Sequence, residues 1–227
     1  MPGYSRAVHA LVFPGVYTPQ DDTALLAEAL AGEPYRPGAR VLDVGTGSGA
    51  LALVAARRGA EVTAVDVSRR AVWTARLNAR LSRLPVRIHR GNLFGPVRGR
   101  SFDVILANPP YVPAPDTRHG PRGRHRAWDA GHDGRLVLDR ICRNAPPMLR
   151  PGGVLLIVHS ALSDPGRTLD RLRAAGLKAA VVRRRWIAFG PVLRSRRGWL
   201  REHGLLPAGG AADEKEELVV IRAERPL

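Results

Sequence analysis

A chain of 227 residues with an apolar fraction of 44% suits one domain with a sizeable core, or one domain and a small appendage. Its net charge of +16 favours a polyanionic neighbour such as RNA, DNA or the ribosome; because Lys178 and Lys215 are its only lysines, the arginine excess equally fits a biased genome composition and identifies no partner. No apolar stretch is long enough for a bilayer, residues 1–6 lack a signal-peptide pattern, the lone Cys142 excludes an intrachain disulfide framework, and His119, His125 and His132 have no ligand spacing, so the expectation is a cytoplasmic chain with no membrane span and no metal.

Residues 1–20 read as irregular, with Val12, Phe13, Val16 and Tyr17 as apolar anchors among Pro14, Gly15 and Pro19. Asp21, Asp22 and Thr23 suit the cap of a helix whose Leu25, Leu26, Ala29 and Leu30 recur at helical spacing, and Gly32, Pro34, Pro37 and Gly38 end it. This lead-in segment is either a lid over a site or a packed helix, and packing is the simpler reading. From Arg40 the pattern becomes strand, turn, helix. Val41 to Val44 is a short apolar strand, Gly45-Thr46-Gly47-Ser48-Gly49 the turn, and 50–58 the helix. Residues 61–66 make a second strand, Ser68 caps a helix to about Arg83, and 86–90 make a third strand before Gly91-Asn92-Leu93.

The fourth strand, Phe102 to Ala107, runs into Asn108-Pro109-Pro110-Tyr111, where two prolines force the chain out of the sheet. A polar loop follows, then a helix over 134–145, a strand at 154–158, a helix after Asp164, a strand at 178–183 and a last strand at 217–222. Cys142 falls on the helix beside Ile141 and reads as a small buried residue. Strands alternating with helices predict an α/β, doubly wound, mostly parallel sheet. The organisation expected is a single domain over 1–227, with an N-terminal arm and lead-in helix (1–38), a core (39–184), and a basic insertion with the last strand (185–227).

Ligands of open α/β sheets bind just past the carboxyl ends of the strands, where both turns lie. Asn108 offers an amide oxygen and Pro109 a backbone carbonyl, a pair of acceptors for the two hydrogens of a planar, conjugated NH2 group. Holding both hydrogens turns the nitrogen lone pair toward an electrophile, with Tyr111 stacking on the planar group. The bland alternative is a strand-terminating turn. Gly45, Gly47 and Ala50 also satisfy a dinucleotide pattern with Asp66 about 20 residues on, but Asp43 suits an amino group better than a pyrophosphate, and hydride transfer has no need of Asn108-Pro109-Pro110-Tyr111.

The combination of Asp43-Val44-Gly45-Thr46-Gly47-Ser48-Gly49, Asp66 and Asn108-Pro109-Pro110-Tyr111 resembles the class I S-adenosyl-L-methionine-dependent methyltransferases that methylate amino groups. Within them the chain is most similar to the short HemK2/Mtq2 family of protein-glutamine methyltransferases. Val16-Tyr17 with Pro19 and Asp22 to Leu26, Ala127-Trp128 with Gly131 and Asp133 to Arg135, and Asp139-Arg140 carry the likeness further. The resemblance spans nearly all of 12–182 and implies a seven-stranded Rossmann-like sheet with an antiparallel last strand. It implies that Thr23, Asp43 and Gly45 line the methionine end of S-adenosyl-L-methionine, that Gly47 also binds the cofactor, that Asp66 holds the ribose hydroxyls, and that Asn92 and Leu93 frame the adenine. Asn108, Pro109, Pro110 and Tyr111 would form the catalytic turn, with Asn108 also at the edge of the cofactor. Asn92 stands where the family usually has an acid, and Thr18 where it usually has Glu.

The implied substrate is a glutamine side chain of a protein such as a translation release factor, and relatives can require a small zinc-binding activator subunit. Adenine N6 on RNA or DNA presents the same planar NH2 and is the nearest competitor, ahead of a small-molecule amine or a non-catalytic binding module. Arg118, Arg122, Arg124 and Arg126 with His119, His125 and Trp128 read as either a substrate-facing flap or a solvated loop. Arg183 to Arg185 and Arg194, Arg196, Arg197 and Arg201 read as either a docking surface or a charged outer face over two core tryptophans, Trp186 and Trp199.

Overall fold

A computed structural model describes residues 10–115, 128–206 and 214–227. Seven strands form one sheet: β1 (Arg40–Val44), β2 (Glu61–Asp66), β3 (Val86–Arg90), β4 (Phe102–Ala107), β5 (Leu149–Ser160), β6 (Lys178–Ala188) and β7 (Lys215–Glu224). Their order is β3-β2-β1-β4-β5-β7-β6. The first five strands are mutually parallel, and β7 is antiparallel to both neighbours, β5 and β6. The helices are α1 (Asp21–Ala31), α2 (Ala50–Arg57), α3 (Arg69–Leu81), α4 (Leu138–Asn144), α5 (Pro165–Ala174) and α6 (Pro191–Glu202).

Alternate side chains of a strand serve opposite faces, so each central strand feeds two cores. Val41, Val62, Val104, Leu106, Leu156 and Val158 pack with Leu26 and Leu30 of α1, Leu51 of α2 and Val72 of α3. Leu42, Val65, Ile105, Leu155 and Ile157 pack on the other face with Leu138, Ile141 and Cys142 of α4 and Leu172 of α5. Cys142 is buried as expected, and burial pushes its thiol up to about 11. Both long turns identified in the sequence therefore emerge at the same end of the sheet, beyond the carboxyl ends of β1 and β4.

Several local expectations are corrected. The helix expected over 134–145 begins only at Leu138, because Gly131 and Gly134 hold left-handed turns before it. Gln20, not an Asp or Thr, is the N-cap of α1; Asp22 and Thr23 point inward and are buried. Phe13 is 47% exposed and anchors nothing. Trp186 is 63% exposed and is no core tryptophan, whereas Trp199 packs against a small cluster of Phe189, Leu193, Leu200 and Leu206. β6 runs on to Ala188 and the basic stretch after it forms α6, with Pro191 at the helix start where its missing N–H costs nothing.

Candidate functional site

Asp43 lies near the end of β1, almost wholly buried. Its Oδ2 accepts hydrogen bonds from Thr46 Oγ1 at 2.6 Å and from the Ala52 N–H at 3.2 Å, while Oδ1 is buried with no donor among the described residues. Burial raises its pKa to about 6, against the pull of Thr46 and Ala52 and with the added push of the Asp66 charge. An unpartnered, buried carboxylate oxygen suits a cationic N–H donor. Around it, Gly45 and Gly47 have φ of 77° and 55°, and a Cβ on either would meet nothing within 4 Å, so the backbone of the turn faces open space. Gly49 serves packing instead: its Cβ would stand 3.1 Å from that of Ala75, where α2 starts against α3.

Asp66 ends β2. Its Oδ2 accepts from the Gly47 N–H at 2.9 Å and its Oδ1 from the Ser68 N–H at 2.8 Å. Each oxygen keeps lone pairs for a further donor, a geometry suited to a pair of vicinal hydroxyls. Beyond β3, Leu93 takes the left-handed conformation (φ 48°) and is half-buried against the second core. Asn92 is exposed, and its Oδ1 accepts from Arg140 at 3.2 Å, so the amide oxygen expected to face a ligand is engaged by a guanidinium.

The Asn108-Pro109-Pro110-Tyr111 turn is gripped at both ends by α1. Asn108 Nδ2 donates to Thr23 Oγ1 at 3.2 Å, which leaves the Asn108 carbonyl oxygen as the free acceptor. Thr23 Oγ1 in turn donates to Asp22 Oδ1 at 3.1 Å. Tyr111 donates its hydroxyl to Asp22 Oδ2 at 3.2 Å, and Tyr17 donates to the same oxygen at 2.7 Å. Burial and the Asp22 charge raise both tyrosines above their ordinary range, so both remain donors.

Asp22 was not singled out from the sequence as a site residue. The signal was present: at positions 22, 25, 26, 29 and 30 the buried stripe of α1 begins with an acid. Glu216, on β7, was missed as well. It is 6% exposed, hydrogen-bonded to Ser160, and its Oε2 has no partner among the described residues. Burial and the nearby Asp22 charge push it up to about 7. Nothing local marks it, because its neighbourhood is assembled from β5, β7 and α1.

The segment after the turn is scaffold. Val112 N–H donates to Trp128 O at 2.8 Å, Ala130 N–H returns to Val112 O at 3.0 Å, and Arg196 of α6 clamps both sides through Asp129 at 2.7 Å and Pro113 O at 2.8 Å. Gly134, at φ 71°, passes so close to Tyr111 O and Ser163 Oγ that a Cβ would collide with both. Arg135 is wholly buried, donating to Ser163 O, Asp164 O and Thr168 Oγ1 and pairing with Asp139 at 2.9 Å. Asp139 also holds Arg167 and Arg171. Arg118, His119, Arg122, Arg124, His125 and Arg126 lie outside the described residues.

Residues 11–120 match the family model described as Methyltransferase small domain. The chain is 34% identical over 177 residues to a Methanocaldococcus jannaschii protein whose name reads "Putative protein N5-glutamine methyltransferase", covering 78% of this chain and 88% of that one. It is 39% identical over 158 residues to the release factor glutamine methyltransferase of Gloeobacter violaceus, covering 64% of this chain but only 54% of that relative. Among solved structures it resembles the Encephalitozoon cuniculi Mtq2–Trm112 complex, with a TM-score of 0.65 and 24% identity over 93% of this chain and 99% of the matched one; the likeness is one of fold. The chain belongs to the family of protein N5-glutamine methyltransferases and is an S-adenosyl-L-methionine-dependent methyltransferase.

Proposed function

We propose that the site methylates the side-chain amide nitrogen of a glutamine in a protein of the translation machinery, a release factor foremost. The observation that carries this reading is the pinned Asn108: with Nδ2 held by Thr23, its Oδ1 is the side of the amide turned to a donor, and the Pro109 carbonyl next in the chain would supply the second acceptor. An amide NH2 presents two hydrogens in one plane to such a pair, and its nitrogen lone pair, otherwise delocalised, is then aimed out of that plane. Relatives named for glutamine methylation of release factors and of ribosomal protein uL3 support the substrate class.

The residues present fit the cofactor. Asp43 Oδ1 would take the ammonium, the open backbone at Gly45 and Gly47 the methionine chain with Thr23 beside it, and Asp66 the two ribose hydroxyls. Leu93 would frame the adenine, with Asn92 exchanging Arg140 for the adenine amine. When bound, the cofactor supplies an electrophilic methyl group on sulfonium. On accepting that methyl group the amide nitrogen would give up one proton to solvent. Asn108 and Pro109 orient the nitrogen, Pro110 fixes the turn, Tyr111 walls the planar group, and Asp22 holds Tyr111 in place. No strong base is required, because an alkylated amide nitrogen is itself a strong acid.

A small activator subunit, as in the Mtq2–Trm112 complex, is the proposed partner alongside the substrate, and the cytoplasm the proposed place of action. The test is transfer of tritium from labelled S-adenosyl-L-methionine into a lysate holding intact ribosomes, release factors and nucleic acid, with and without added activator. Label in one protease-sensitive band of release-factor size, mapped by mass spectrometry to a glutamine, supports the reading. Label removed by nuclease overturns it in favour of adenine, the alternative that the charge of +16 favours.

A further inference from the structure

Residues 10–17 form a strap that runs from α3, past the glycine turn, to the catalytic turn, and it is pinned at three points. At its start, Leu11 is held like a residue in a β-ladder: its N–H donates to Asn78 Oδ1 at 3.0 Å and its carbonyl accepts from Asn78 Nδ2 at 2.8 Å. In its middle, Pro14 O accepts from Arg70 at 3.2 Å, where the Val16 N–H closes a turn onto Phe13 O. At its end, Tyr17 reaches Asp22. The second donor of Asn78 Nδ2 goes to Ser48 O, inside the glycine turn, at 2.9 Å. One side chain thus ties the strap to the turn that faces the cofactor.

Asn78 stands in the last turn of α3 and is 4% exposed. A polar residue at such a position serves neither helix propensity nor the apolar face, and burial is tolerable only because both donors and the acceptor are satisfied. Apart from Arg70 and Tyr17 further along, the start of the strap has little apolar packing to hold it, since Leu11 and Phe13 are exposed. Removing the carboxamide frees the strap at its start and leaves the Ser48 carbonyl without its donor.

We propose that Asn78 is a positioning residue that closes the N-terminal strap against the glycine turn, so that S-adenosyl-L-methionine enters and leaves by release of the Asn78–Leu11 pair. The strap also delivers Tyr17 to Asp22, so its closure couples cofactor retention to the order of the catalytic turn. Asn78 touches neither substrate nor cofactor in this scheme. It acts through Leu11 and Ser48.

The test uses the full chain and two readouts other than turnover: the dissociation rate of S-adenosyl-L-methionine by stopped-flow displacement, and hydrogen exchange of backbone amides 11–17. In Asn78→Ala the dissociation rate should rise at least tenfold and the strap amides should exchange faster, while in the unaltered protein bound cofactor should slow the same amides. Leu11→Pro removes the one N–H that Asn78 accepts, leaves Ser48 untouched, and should reproduce most of both effects. Arg70→Ala should raise both modestly. Faster strap exchange with an unchanged dissociation rate overturns the proposal, and so does faster dissociation in Asn78→Ala that Leu11→Pro fails to share, which would place the effect in the turn alone. Circular dichroism of each variant separates these outcomes from loss of fold, and an unaltered protein that binds no cofactor would count against the assigned enzyme class instead.

Discussion

Thr23 Oγ1 accepts a hydrogen bond from Asn108 Nδ2 at 3.2 Å, joining residues 85 apart in the chain and deciding which face of the Asn108 amide remains available. An unpinned Asn presents oxygen or nitrogen with little preference. Here the nitrogen is spoken for, and the oxygen is left for a donor.

Roles divide accordingly between the two turns. Asn108→Ala should lower methyl transfer by about a hundredfold or more, the scale of losing one preorganised group at a reacting centre, while S-adenosyl-L-methionine binds within a few-fold of normal. Asp66→Ala should do the reverse, weakening the cofactor with a smaller loss of rate at saturation. Calorimetric titration beside single-turnover kinetics distinguishes them; equal loss of affinity in both variants would refute the division.

Asp22 is predicted to matter for rate more than its distance from the reacting nitrogen suggests. Asp22→Ala strands the Tyr17 and Tyr111 hydroxyls in a buried place, at about 1–3 kcal/mol each. Asp22→Asn keeps the shape and an acceptor oxygen but removes the charge. Transfer should fall in both, with the larger drop in melting temperature for alanine. Rates matching the unaltered protein in Asp22→Asn would show that the clamp is dispensable.

Much of this was legible in advance. The apolar strands from β1 to β5 and the two turns at their carboxyl ends declare themselves by period and by glycine and proline, and Asp43, Asp66 and Asn108 stand where those turns place them. Asp22 and Glu216 escaped because their surroundings come from segments far apart in sequence, a helix start and the last strand, which no local pattern brings together. Trp186 misled for a related reason: β6 is an edge strand with an outer face exposed to water, and hydrophobicity alone does not say which strand lies at the edge.

Gly134 offers a probe at a position with no polar group. Its φ is 71°, and any Cβ collides with the Tyr111 carbonyl and Ser163 Oγ. Gly134→Ala should therefore displace Tyr111 and cut transfer tenfold or more, leaving cofactor affinity within a few-fold of normal. The two readouts together are diagnostic, because a general loss of fold would take cofactor binding with it.

Glu216 should give stability a slope in pH. Its pKa rises from 4.5 to about 7 through burial and the Asp22 charge, so the folded protein binds a proton that the unfolded chain has released. The stabilisation is complete below pH 4.5 and is lost as pH climbs to 7, amounting to about 3 kcal/mol. Asp43 adds a slope of the same sign between 3.8 and about 6. Glu216→Gln should match the unaltered protein near pH 4 and exceed it near pH 8 in urea unfolding. Parallel curves across that range would mean that folding leaves the pKa of Glu216 unshifted.

The docking of α1 carries a consequence for the order of assembly. This helix lies against β5, β6 and β7, bonded through Glu28 to Arg185 and, just past its end, through Glu33 to Arg222 at 2.8 Å each, and it brings Asp22 and Thr23 to the catalytic turn. Chains emerge from the ribosome amino end first. The residues that complete the site are therefore made early and wait, unplaced, until the strands that seat them have been synthesised. A nascent chain that has reached only β4 already owns the glycine turn and Asn108, yet α1 then has only part of its seat, and the hold of Thr23 on the amide is completed when β5, β6 and β7 join the sheet.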